Sequence, residues 1–172
     1  MISLSVRELL EIVKGDLGEA KPELMSNNFA GVSIDSRTIA RGNLFVALAG
    51  ENNDGHDFAG QAVKRGAAAV LISESKRRKI DSSLTAGIPV IQVKDTRTAL
   101  QVLGADYRKR FDMSVVAITG SNGKTTTKEM IAQVLASKYE VVKSQKSFNT
   151  QIGVPLTIFE LSADTEVLVL EL

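Results

Sequence analysis

"AITGSNGKTTTKEM", residues Ala117–Met130, sets glycines and small polar residues between an apolar run and a helix-like run. "SVVAITG", which leads into it, reads as a strand, and Lys124 to about Ser137 reads as a helix. A strand, a glycine-rich turn and a helix opening on Lys-Thr make a phosphate site. The first N–H groups of the helix have no partner within it, and the helix dipole adds partial positive charge there. Gly120 and Gly123 let the backbone curl around an anion, where a side chain would fill the space or forbid the φ angle. Lys124 can reach the β- and γ-phosphates as a point charge, and Thr125 can place its hydroxyl on Mg²⁺. The general phosphate-loop pattern, G-x-x-x-x-G-K-[ST], would put its first glycine at position 118, which is Ile118. The loop is therefore a more particular variant. A plain glycine-rich turn with an exposed lysine is the competing reading, and the strand–helix context with G-K-T in order outweighs it.

"VLVLEL" adds a second sign. A buried strand ending in a carboxylate is where phosphate-loop proteins place a metal-binding acid, at the carboxyl ends of the strands where open α/β sheets bind ligands. Glu171 is the candidate. Taken alone it reads as an ordinary strand-end acid; beside the loop the metal reading leads.

Outward from this region the pattern alternates. "SVRELLEIVKG" is a helix with Ser5 and Glu8 at capping-box spacing and Gly15 after its last turn. "GVSID" is a half-buried strand, while "NLFVAL" and "AAAVLIS" are apolar enough for covered strands. "HDFAGQAVKRG" is a helix ending at Gly66, "PVIQV" a short strand, and "DTRTALQVLGADYRKRF" a helix with Asp95 or Thr96 as N-cap. After the loop helix come the strand "EVVKS", the loop "QKSFNTQIGVP", the amphipathic piece "LTIFEL" and the strand "EVLVLEL". The fold expected is α/β: a small N-terminal α/β domain over residues 1–112, then the start of a Rossmann-like, mostly parallel phosphate-loop domain over residues 113–172. Residues 113–172 are too few to complete a parallel sheet covered on both faces, so the chain is expected to be truncated inside its second domain.

Of 172 residues, 44% are hydrophobic, which supplies a core and argues against disorder. With 21 basic and 20 acidic residues the net charge is +1, giving no global field to attract nucleic acid or an anionic membrane. The absence of cysteine excludes disulfides and thiolate metal sites. The N-terminus lacks the pattern of a signal peptide, and no apolar run is long enough to span a bilayer. A soluble cytoplasmic protein is the expectation. His56, the single histidine, is expected to order the "NDGHDF" loop rather than act as acid or base. "KRRK", Lys76 to Lys79, reads as a solvated loop, and Phe148 as an anchor for its own loop.

Three ordered motifs, covering almost the whole chain, carry a resemblance. T-G-S-N-G-K-T-T is similar to the ATP loop of the Mur ligases, which build the peptide of bacterial cell-wall precursors. "SIDSRTIARGNLFVALAGENNDGHDF" resembles the N-terminal segment shared by the branches that add the third residue and the final dipeptide. "SFNTQIGVPLTIF" resembles the corresponding loop of the dipeptide-adding branch, with Thr150 where a second Asn is common and Gln151 where Asn, Asp or Glu is common.

The resemblance implies ATP-dependent amide ligation in peptidoglycan precursor synthesis. The terminal carboxylate of UDP-MurNAc-tripeptide would become an acyl phosphate, which the amine of D-Ala-D-Ala attacks. Lys124 would be catalytic, Gly120, Ser121, Asn122, Gly123, Lys124, Thr125 and Thr126 would hold the ATP phosphates, and Thr125 and Glu171 would hold Mg²⁺. By the match, Ile34, Ser36 and Arg37, with Glu51, Asn52 and Asn53, and Asn149 from the later loop, would line the UDP-MurNAc-peptide site of the N-terminal domain. A monomer is expected, inactive alone if cut short. The branch adding the third residue, another relative, or a non-catalytic UDP-sugar-binding domain are the alternative readings.

Overall fold

The computed structural model describes residues 2–17, 22–51, 53–81, 83, 87–145 and 150–172. The chain divides into compact units Ile2–Leu103 and Gly104–Leu172, a division that falls inside a helix, whereas the sequence reading places the change of domain between residues 112 and 113.

In the first unit, β1 (Ser3–Ser5) leads into α1 (Val6–Val13) through a capping box. The Ser5 hydroxyl accepts the Glu8 N–H at 3.2 Å, and the Glu8 carboxylate accepts the Ser5 N–H at 2.8 Å. The helix is capped by Lys14, which takes the left-handed conformation at φ 51, and Gly15 follows the last turn as expected, its N–H donating to the Leu10 carbonyl at 3.1 Å. β1 pairs antiparallel with β2 (Asn28–Ala30), a ribbon absent from the sequence reading. β3 (Val32–Ser33), β4 (Leu44–Val46), β5 (Ala69–Ser73) and β6 (Val90–Val93) then form a parallel sheet in chain order.

Parallel neighbours need crossovers. The one between β4 and β5 is a 3₁₀ turn at Gly55–Phe58 followed by α2 (Ala59–Lys64). Phe45, Val70 and Ile72 of the sheet pack with Ala59, Ala62 and Ile80 in one core. "KRRK" is not a solvated loop: it lies in a 3₁₀ helix, Glu74–Lys79, and Lys76 and Lys79 reach Asp54 at 3.3 and 3.2 Å. α3 (Thr96–Arg108) starts on Asp95, whose carboxylate accepts the Thr98 N–H at 2.6 Å; that bond holds the Asp95 pKa below its ordinary value.

In the second unit, β7 (Ser114–Ile118), β8 (Val141–Lys143) and β9 (Val167–Glu171) form a parallel sheet in the order β7-β9-β8. The central strand β9 is buried throughout. α4 (Lys124–Leu135) covers it, with Ala132, Ile131 and Leu135 packed about Val167 and Val169. α5 (Gly153–Ile158) begins earlier than expected: "GVP", assigned to a loop from sequence, forms its first turn, where Pro155 needs no N–H partner. Tyr107 anchors this unit, its hydroxyl donating to the Leu161 carbonyl at 3.1 Å and its ring meeting Phe111 edge-on at 4.9 Å. Among the described residues no helix is long and apolar enough to cross a membrane.

Candidate functional site

The carboxyl edge of the β7-β9-β8 sheet holds the expected loop. Ile118 pairs with Glu171 in register, so the end of β9 lies beside the point where the chain leaves β7 for the loop. Thr119 to Gly123 connect β7 to α4, and α4 opens on Lys124 and Thr125. Gly120 and Gly123 have φ of 148 and 76. A Cβ on Gly123 would meet nothing within 4 Å, and one on Gly120 only the Asn122 carbonyl at 3.9 Å. Their need for glycine is therefore conformational, not a lack of room: Gly123, the N-cap, sits in the left-handed region that L side chains disfavour. Ser121, Asn122 and Gly123 are exposed, which leaves the helix N-terminus open to solvent.

Lys124 folds over this loop, its ammonium donating to the Gly120 carbonyl at 2.6 Å. The Thr125 hydroxyl donates to Glu171 Oε2 at 2.9 Å. Glu171 is 3% exposed, and its backbone N–H donates to the buried Ser144 hydroxyl at 3.2 Å. Structure thus brings together two residues 46 apart in sequence whose oxygens suit a hard cation. No group of three or more acidic or histidine side chains able to hold a metal occurs among the described residues. Thr125 and Glu171 fit a Mg²⁺ that takes most of its ligands from phosphate and water, the usual arrangement for that ion at nucleotide sites. One residue of this cluster was missed by sequence reasoning. Lys128 is fully buried, with its ammonium 3.7 Å from Glu171 Oε2 and 3.3 Å from Glu129 Oε1.

Apart from Asn149, the residues expected to read the nucleotide-sugar belong to the first unit. Ile34, Ser36 and Arg37 follow β3, while Glu51 and Asn53 follow β4; the two strands are parallel neighbours, so these segments leave the same edge of the sheet. Ser36 is buried, its hydroxyl donating to Gln61 at 2.7 Å. Arg37 is exposed and forms a two-point pair with Asp35, at 2.9 and 2.7 Å. That pair holds the Asp35 carboxyl down at about 2. Asn52, Asn149 and Phe148 lie outside the described residues.

A cavity of about 220 Å³ opens at the carboxyl ends of β4, β5 and β6, lined by His56, Ser73, Lys76, Lys94, Thr96 and Arg97 among others, and by none of the residues just named. His56 is one of its lining residues. Its Nε2 accepts the Ser73 N–H at 2.9 Å, so the ring proton sits on Nδ1, which donates to Asp54 at 2.5 Å. Burial alone would raise the Asp54 pKa, but the hydrogen bonds from His56, Lys79 and Lys76 outweigh it and hold the carboxyl well below the usual range. His56 therefore ties "NDGHDF" to the end of β5, as expected. Lys94 and Arg97 stand apart in sequence and Lys76 read as part of a solvated loop; only the sheet gathers the three cations.

Known proteins match along the chain. The model described as "Mur ligase family, catalytic domain" covers residues 28–108, and the one described as "Mur ligase middle domain" covers residues 118–172. The UDP-N-acetylmuramoyl-tripeptide–D-alanyl-D-alanine ligase of Bacillus subtilis (strain 168) is 42% identical over 172 residues, 100% of this chain and 36% of that protein. A crystal structure of MurF from Acinetobacter baumannii superposes with a TM-score of 0.85 at 33% identity, covering 100% of this chain and 36% of that one. The MurF ligase of Thermotoga maritima, solved in complex with ADP, gives 0.70 at 33% identity, covering 88% of this chain and 33% of its own. The chain spans about a third of the length of these relatives.

Proposed function

The chain belongs to the Mur ligase family, and we propose that it supplies the nucleotide-sugar domain and phosphate loop of an ATP-dependent ligase joining D-Ala-D-Ala to UDP-MurNAc-tripeptide. The observation that carries this is the Thr125–Glu171 contact at 2.9 Å, set at the carboxyl edge of a parallel sheet beside an open helix N-terminus. Amide formation from a carboxylate requires an anion to approach a phosphate, and the cost is charge repulsion. Lys124, whose ammonium lies on the Gly120 carbonyl, supplies positive charge over the loop, and the N–H groups of residues 121–126 supply the rest. Gly120 and Gly123 shape the backbone, Ser121, Asn122 and Thr126 border it, and Thr125 and Glu171 offer oxygens to Mg²⁺. Mg²⁺ bound there would neutralise charge on the β- and γ-phosphate oxygens. The ADP of the Thermotoga maritima structure supports an adenine nucleotide as occupant.

In the first unit, Ile34, Ser36, Arg37, Glu51, Asn52 and Asn53 are our candidates for the nucleotide-sugar. The cavity beside β5 supports the same reading, since Lys76, Lys94 and Arg97 suit a diphosphate and Ser73 and Thr96 offer hydroxyls. The test is ligation by the complete gene product. Phosphate release should require ATP, UDP-MurNAc-tripeptide and D-Ala-D-Ala together. Turnover with a UDP-MurNAc-dipeptide and a single amino acid would move the protein to the branch adding the third residue. Binding of the UDP-sugar without any ATP-dependent turnover would make it a non-catalytic binding protein.

A further inference from the structure

Lys128 lies four residues past Lys124 on α4 and three past Thr125, so Thr125 and Lys128 share the helix side that meets β9. A lysine with 0% exposure is unusual, because its ammonium loses water unless an anion compensates it. The compensation is specific. Glu171 Oε2, the atom that accepts the Thr125 hydroxyl at 2.9 Å, is 3.7 Å from Lys128 Nζ. On its other side Lys128 meets Glu129 Oε1 at 3.3 Å, and Glu129 is itself paired with Lys143 at the end of β8. A line of alternating charge runs from Lys143 through Glu129 and Lys128 to Glu171. It links the ends of β8 and β9 to the helix that opens on the loop.

We propose that Lys128 is a positioning residue: through the buried ion pair it fixes the Glu171 carboxylate against Thr125, setting the oxygen pair that would receive Mg²⁺. This rests on the reading of the loop as a Mg²⁺-nucleotide site. The backbone of Glu171 is already set by the β9 ladder and by Ser144, but its side chain retains rotatable bonds. Thr125 holds one of the Glu171 oxygens through a hydrogen bond. A buried cation 3.7 Å behind the carboxylate adds an electrostatic restraint and offsets the cost of holding that charge away from water. Groups that hold a metal ligand in this way commonly change metal affinity about 10- to 100-fold when removed.

The test is a titration of Mg²⁺ against binding of a fluorescent ATP analogue, on the wild type and on Lys128→Met, Lys128→Arg, Glu171→Gln and Lys128→Met/Glu171→Gln. Lys128→Met should raise the Mg²⁺ concentration at half-saturation by about tenfold or more, while nucleotide binding without Mg²⁺ stays within about twofold. Lys128→Arg, which keeps the charge, should recover most of the loss. In the Glu171→Gln background the lysine change should add nothing, because its effect passes through the carboxylate. That comparison remains readable if Lys128→Met alone does not fold, since the double variant removes both charges. A half-saturation point unmoved by Lys128→Met, or a lysine effect of equal size with and without the carboxylate, overturns the proposal while leaving the loop reading intact. A wild type that shows no Mg²⁺-dependent nucleotide binding overturns the loop reading, and the proposal with it.

Discussion

Replacing His56 by alanine tests whether this histidine holds the fold or performs chemistry. Its side chain is 1% exposed and bridges two elements: Nε2 accepts the Ser73 N–H at the end of β5, and Nδ1 donates to Asp54. Truncation leaves the Ser73 N–H without this acceptor, a loss worth about 1–3 kcal/mol when the group stays dry. Emptying the ring volume costs about 2 kcal/mol more, toward the low end for large-to-small changes because the neighbouring cavity admits water. Asp54 keeps Lys76 and Lys79 and should lose little. The sum is about 3–5 kcal/mol, a large share of the about 5–15 kcal/mol that holds a domain folded. Urea unfolding followed by far-UV circular dichroism would read it as a lower midpoint at unchanged slope. His56→Asn, which can still donate to Asp54 but falls short of Ser73, should lose roughly half as much. A cost below about 1 kcal/mol, with ligand binding or turnover abolished, would refute the structural account and make His56 a chemical participant.

Gly123→Ala forces an L side chain to φ 76, costing about 1–2 kcal/mol and loosening nucleotide binding although the Cβ itself has room; differential scanning calorimetry with and without Mg²⁺-ATP checks both. Gly55→Ala puts a Cβ 2.8 Å from the backbone N and O of Leu48, so it should destabilise by about 1–3 kcal/mol and shift the His56 loop, readable in the same urea series. The Asp35–Arg37 pair contributes at acid pH with a definite sign. The Asp35 carboxyl falls from its ordinary 3.8 to about 2 on folding, so its stabilisation is complete above about pH 4 and lost as pH drops toward 2. Because Arg37 is 78% exposed, solvent screening should keep the effect small. Asp35→Asn should flatten this limb of the stability–pH curve, and an unchanged limb would show that the pair is inert.

The glycine-rich turn between β7 and α4 was legible because its information is local: glycines, Lys124 and Thr125 are adjacent, and the flanking strand and helix carry their own periodicities. Glu171 was legible for a related reason, since an apolar run that ends in an acid marks a strand end. What failed depended on distant partners. The β1–β2 ribbon escaped because its strands are three residues each and pair across an intervening helix. Lys76 and Lys79 read as solvated since Asp54, their partner, precedes them by a whole helix and strand. Lys128 carries no signal in the sequence, where a lysine on a helix is by default exposed, and only the packing of α4 on β9 turns it inward. The start of α5 was misplaced because Gly153 and Pro155 resemble loop residues, and both are tolerated in a first helical turn.

The central claim is that residues 120–126 bind the phosphates of a Mg²⁺-nucleotide. Equilibrium binding of ATP in excess Mg²⁺, measured by isothermal titration calorimetry on the wild type and on Lys124→Ala, tests it most directly. The account expects a single saturable site in the wild type, weakened at least about tenfold, or about 1.4 kcal/mol, by Lys124→Ala with the fold unchanged. Equal affinity in both proteins, or no binding in the wild type, would contradict it.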